Sequence, residues 1–169
     1  MISKKTPLKK ALELGKACDK CGHCCSHGAG ALADDDLKKI AKFLKTTENE
    51  LKKTCLEEIE KFNTKRLRPI IIKKGKPYGR CVFLDEKKGC RIHSVKPLEC
   101  KVGNCSEHGE DLSLWFMLNY FVNPDDPESV RQYAAYLKSG GKTLKGGQLA
   151  DFVPDKKKLN EILNYKILR

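Results

Sequence analysis

Residues 17–28 read ACDKCGHCCSHG, which places four thiols and two imidazoles within one short stretch. A Cys-x-x-Cys turn lets two sulfurs converge while backbone N–H groups point toward them, and a third cysteine at the same interval continues the wrap. The run Cys18-x2-Cys21-x2-Cys24 is the one that surrounds a 4Fe–4S corner in bacterial-type ferredoxins, whereas zinc ribbons use isolated Cys-x-x-Cys pairs. The spacing therefore tilts slightly toward a 4Fe–4S cluster over Zn2+. A full ferredoxin pattern would place its fourth cysteine after three more residues and follow it with proline, but here Cys25 comes at once. Side chains of adjacent residues usually diverge, so Cys24 and Cys25 are expected to face different sites.

Working outward, Cys81, Cys90, Cys100 and Cys105 add four more thiols. Eight candidate ligands result, namely Cys18, Cys21, Cys24, Cys25, Cys81, Cys90, Cys100 and Cys105. They suffice for two four-thiolate sites or for one cluster with accessory thiols, and the pairing is not readable. The ninth, Cys55, falls in an apolar helical stripe and reads as a small core residue. An odd count fits a disulfide framework poorly, and clustered thiols in a reducing cytosol are more often metal ligands or catalytic groups. The opening segment MISKKTPLKKALELGKAC lacks the apolar stretch of a secretory signal, and no apolar run approaches the roughly 20 residues of a membrane helix. The expected setting is cytoplasmic, away from the membrane.

The net charge is +12, from 34 basic and 22 acidic residues among 169. Such an excess suits an acidic partner such as nucleic acid, anionic lipid or an acidic protein face. Only six of the basic residues are arginine, the side chain that planar recognition of phosphates and base edges favours. Aromatics make up 7%, with no basic stripe interleaved with stacking residues. An acidic protein partner is the better fit, and a zinc module on nucleic acid stays a lesser alternative.

Hydrophobic spacing predicts a helix over 33–45, with Asp34, Asp35 and Asp36 capping it, and a second over 47–62 carrying Leu51, Cys55, Ile59 and Phe62 on one stripe. The run Ile70–Ile72, the turn Lys74-Gly75-Lys76-Pro77 and the segment 78–85 predict a hairpin, and 90–93 a short third strand. Cys81 and Cys90 would then flank one connection. Residues 112–122 are apolar almost all round and suit a buried helix. Asp126-Pro127-Glu128 starts another helix that Gly140-Gly141 stops, 140–147 reads as a flexible loop, and a last helix begins near Asp155.

Other motifs carry less. Cys18-Asp19-Lys20-Cys21 lacks the strand and βαβ setting of a thioredoxin-like site, and no Cys-x3-Cys-x2-Cys of a radical S-adenosylmethionine enzyme is present. Gly28-Ala29-Gly30-Ala31 follows a cysteine loop instead of a strand, so it reads as a glycine-rich exit from that loop and not as a dinucleotide fingerprint. His23 and His27 are expected around the centre or in solvent, since eight thiols already suffice as ligands. His93 reads as a packing group or a hydrogen-bond partner of a cysteine sulfur, and His108 as a loop residue.

Together, Cys18-x2-Cys21-x2-Cys24-Cys25, Gly79-Arg80-Cys81-Val82-Phe83-Leu84, Gly89-Cys90-Arg91-Ile92-His93 and Lys96-Pro97-x2-Cys100-Lys101 resemble the YkgJ-type cysteine-cluster family, described as a zinc- or iron-chelating domain. The resemblance covers about Cys18 to Cys105 and implies metal chelation through these thiols. The family has an aromatic residue where His93 stands and Arg-Pro where Lys96-Pro97 stands. A relative with a similar cysteine motif, flagellin lysine N-methylase, implies an iron–sulfur protein methylase-like or redox enzyme as an alternative activity.

The expected molecule is α+β: a small cysteine-rich metal-binding domain over 1–110, with a short hairpin and flanking helices, and a helical C-terminal extension over 111–169 packed on it. The metal would join the N-terminal loop to the Cys81–Cys105 segment.

Overall fold

A computed structural model describes all residues, Met1–Arg169. The chain forms α1 (Leu8–Leu14), α2 (His23–His27), α3 (Asp36–Phe43), α4 (Glu48–Cys55), β1 (Leu56–Lys61), β2 (Thr64–Pro69), β3 (Ile71–Ile72), β4 (Arg80–Cys81), β5 (Leu84–Asp85), β6 (Gly89–Cys90), a 3-10 turn at His93–Val95, α5 (Leu98–Val102), α6 (Gly109–Tyr120), α7 (Pro127–Lys138), α8 (Leu149–Phe152) and α9 (Lys156–Leu163). The fold is mixed α+β, with three separate two-stranded antiparallel pairs, β1–β2, β3–β4 and β5–β6, and a helical C-terminal region. No helix is long and apolar enough to cross a membrane.

The helix expected over 47–62 ends at Cys55, and its second half is strand β1. Three local features favour the strand. Phe62 and Asn63 both have positive φ, 49° and 55°, which makes the two-residue type I′ turn whose twist matches an antiparallel pair. Lys61 then faces Thr64 and Leu56 faces Pro69 across a six-residue ladder. Glu57 meets Arg68 at 2.9 Å and Glu58 meets Lys65 at 2.9 Å, so the acidic run is neutralised across the hairpin. Phe62 at the tip packs edge-on against Tyr133 and Tyr136, tying the hairpin to α7.

Two apolar clusters form the interior. The larger joins Ala11, Ala31, Leu98 and Val102 to Leu112, Trp115, Phe116, Val130, Tyr133 and Ile162, so it runs from the cysteine-rich part into the helical C-terminal region. The smaller contains Leu32, Ile40, Ala41, Leu51, Leu56, Cys81, Phe83 and Ile92. Ala31 belongs to the first and its neighbour Leu32 to the second. The glycine-rich exit therefore threads between them.

Helices α7 and α9 start where the sequence places them. Asp126 accepts from Glu128 N–H ahead of α7, and Asp155 accepts from Lys157 and Lys158 N–H ahead of α9. The segment expected as a flexible loop, 140–147, is tied down instead: Tyr133 Oη donates to Gly147 O at 2.6 Å, and Lys4 N–H donates to Lys145 O at 3.0 Å. Arg131 is buried and donates to the carbonyls of Ile162 and Ile167, which holds the chain after α9 against α7.

Candidate metal centre

Four stretches of chain deliver the thiols. Gly22, at φ 74°, lets the backbone turn from Cys21 directly into α2, a conformation that favours glycine. Cys24 and Cys25 lie on that short helix, which packs on β4 and so on Cys81. Cys90 ends β6, opposite Leu84 of β5. Cys100 lies on α5, which is held between α1 and α6, and Cys105 lies beyond it.

Gly30 makes the close approach that brings α5 in. Its N–H donates to Cys100 Sγ at 3.2 Å, and a Cβ there would lie 2.8 Å from both the nitrogen and the sulfur of Cys100. Ala31 N–H donates to Glu99 Oε2 at 2.5 Å, which extends the same junction. Asp36, expected as a helix cap, does other work. Its buried carboxylate accepts from Ala33 N–H at 2.8 Å and from Leu98 N–H at 2.7 Å, and Lys101 lies 3.6 Å away. It thereby couples the start of α3 to the start of α5, the helix that carries Cys100.

All eight candidate cysteines line one cavity of about 300 Å³, and Cys55 lies outside it, against the smaller core cluster. Within the cavity four of the sulfurs form two close pairs. Cys21 and Cys105 are 3.9 Å apart across 84 residues of sequence, and Cys24 and Cys25 are also 3.9 Å apart. The expectation that adjacent Cys24 and Cys25 diverge is thus overturned: the first turn of a short helix directs both sulfurs to the same side. No three cysteine, histidine or acidic side chains converge into a complete coordination shell.

The residues present fit a thiolate-bound metal. With a zinc–sulfur distance of about 2.3 Å, the edge of a tetrahedron of thiolates is about 3.8 Å, close to the spacing of both pairs. Burial and polarity divide the thiols. Cys25 holds Cys24 down to about 6 by hydrogen bonding to its thiolate, with Lys96 adding favourable charge, and Cys25 is itself pushed up. Burial pushes Cys81 up to about 11 and also raises Cys90 and Cys100, the last opposed by the Gly30 N–H. A metal cation reverses this burial penalty, because a coordinating thiol is deprotonated outright.

The histidines divide as well. His27 and His93 line the cavity, whereas His23 does not. His27 Nδ1 lies 2.9 Å from His23 O, and its ring is 5.6 Å from Tyr78. His93 Nε2 is buried with no hydrogen-bond partner, and burial together with Lys96 and Lys20 pushes its pKa down. The hydrogen bond from His93 to a cysteine sulfur is absent. Lys96, quoted above only as a motif position, is buried in the cavity wall; a lysine ahead of a proline carries no pattern that announces burial. His108 precedes α6 and sits 3.4 Å from Glu107, a loop position as expected.

A cavity walled by eight thiols from the Cys18–Cys25 loop and the Cys81–Cys105 segment defines a cysteine-rich chelating protein. Residues 17–117 match the family model CxxCxxCC, described as "Putative zinc- or iron-chelating domain", and the chain belongs to that family. No solved structure matches the chain.

Proposed function

We propose that the chain holds a polynuclear metal centre in the thiol cavity, with ligands drawn from Cys18, Cys21, Cys24, Cys25, Cys81, Cys90, Cys100 and Cys105. The observation that carries this reading is the Cys21–Cys105 sulfur pair, which spans the N-terminal loop and the distal segment at the edge length of a tetrahedral thiolate site. The centre would then fasten α2 to the chain after α5, and metal binding would contribute directly to folding. The helical segment 111–169 would serve as the scaffold against which α5 packs. A reducing cytoplasm is the setting in which nine free thiols remain available as ligands.

Paired sulfurs favour ions that take two or more thiolates each, which supports zinc. The run Cys18-x2-Cys21-x2-Cys24 favours a 4Fe–4S cluster, which takes one cysteine per iron. The cavity volume of about 300 Å³, near ten water volumes, accommodates either centre. Anaerobic purification followed by iron, zinc and acid-labile sulfide analysis separates them: about two zinc without sulfide, or about four iron with four sulfide. Cys21→Ser should lower the metal content and Cys55→Ser should not. Equal metal content in the two variants would refute the site.

A further inference from the structure

A second and larger cavity, of about 630 Å³, adjoins the thiol cavity and shares Cys18, His93 and Lys96 with its wall. Leu8 and Leu12 of α1, Leu98 of α5 and Tyr120 of α6 give it an apolar side. Its charged side carries three aspartates and four lysines, and their partners decide its character. Asp34 lies 3.5 Å from Arg66, Asp35 3.9 Å from Lys39, and Asp36 3.6 Å from Lys101. Every carboxylate in the wall is thus matched by a cation. Lys16 and Lys96 remain without a carboxylate partner, and Lys96 is only 8% exposed.

Lys96 is packed to 8% exposure with no carboxylate in contact, so an anion that enters the second cavity meets a positive charge that no acidic side chain compensates. On the thiol side Lys96 acts on Cys24 and Cys90 through its charge. On the other side it meets an open, partly apolar cavity of the size that small ligands occupy. We propose that this second cavity binds a small organic monocarboxylate with an apolar body. The carboxylate rests on the Lys96 ammonium, Lys16 adds charge at the rim, and the apolar body lies against Leu8, Leu12 and Leu98. Because Cys18, His93 and Lys96 belong to both walls, such a ligand would sit directly beside the thiols.

The test uses the full chain purified with its metal and titrated calorimetrically with hexanoate, with hexan-1-ol as the uncharged comparison. Hexanoate should bind saturably at one site and at least about tenfold more tightly than the alcohol. Lys96→Met should weaken hexanoate by about tenfold or more, and Lys16→Gln by a smaller factor of about two to five. Circular dichroism and metal content on each sample distinguish loss of the carboxylate site from loss of the metal centre. If Lys96→Met does not fold, Leu12→Trp, which fills the apolar side, decides: hexanoate affinity should fall, and unchanged affinity would overturn the proposal. Hexanoate that fails to saturate, or that binds no more tightly than hexan-1-ol, overturns it equally.

Discussion

Replacing Asp36 tests how α5 is anchored. The side chain is 6% exposed and its Oδ2 serves two backbone N–H groups, Ala33 and Leu98, while Lys101 lies beside Oδ1. Asp36→Ala leaves both donors without their acceptor and Lys101 without its counter-charge, a loss of about 3–5 kcal/mol. Asp36→Asn keeps an amide oxygen with two lone pairs, so both N–H groups retain a partner; it loses the charge assistance and sets its NH2 in place of Oδ1 beside the Lys101 ammonium, about 1–2 kcal/mol in all. Urea unfolding of the metal-loaded protein at one fixed metal concentration reads the difference. With a slope of roughly 2 kcal/mol per molar, the alanine midpoint should fall by about 2 M and the asparagine midpoint by less than 1 M. Because α5 carries Cys100, the alanine variant should also lose metal more readily to a chelator. An alanine cost below about 1 kcal/mol, or equal costs for the two variants, would refute the account of Asp36 as the link between α3 and α5.

Three further outcomes are expected. In metal-free protein Cys24 should be alkylated by iodoacetamide ahead of Cys105, since one pKa is lowered to about 6 and the other is raised by the neighbouring Cys21. The Cys24 rate should climb between about pH 5 and 7 and level off above, because the reactive thiolate is already formed there; equal rates at pH 7 would contradict the assignment. Gly30→Ala should cost about 1–3 kcal/mol in urea unfolding, because the new methyl meets the Cys100 backbone as well as its sulfur. Arg131→Met removes the donor to the Ile162 and Ile167 carbonyls and should lower Tm by about 6–12 °C in a thermal scan, whereas a drop below about 3 °C would mean that the clasp contributes little.

The candidate thiols and the helix starts at Asp126 and Asp155 were legible in the sequence because each depends on local chemistry: the interval between thiols, or an acidic side chain reaching its own helix's N–H groups. The β1–β2 hairpin was not, because Leu51, Cys55, Ile59 and Phe62 keep helical spacing while the pairing of Glu57 with Arg68 lies on the other strand. Nor were the helices α1 and α2, which span 7 and 5 residues and are too short for periodicity to declare.

The sequence by itself determined that eight thiols stand in two groups, with a ninth set apart in an apolar stripe, since spacing is a property of the chain alone. Only the tertiary structure decided which sulfurs meet. Cys21 reaches Cys105 through the approach of Gly30 to Cys100 and the bridge of Asp36 to Leu98, contacts between residues some 60 to 70 positions apart. Lys96 is the clearest case of the second kind. In the sequence it stands ahead of Pro97 where the family has arginine; in the fold, packing sets it into the walls of two cavities with no carboxylate in contact.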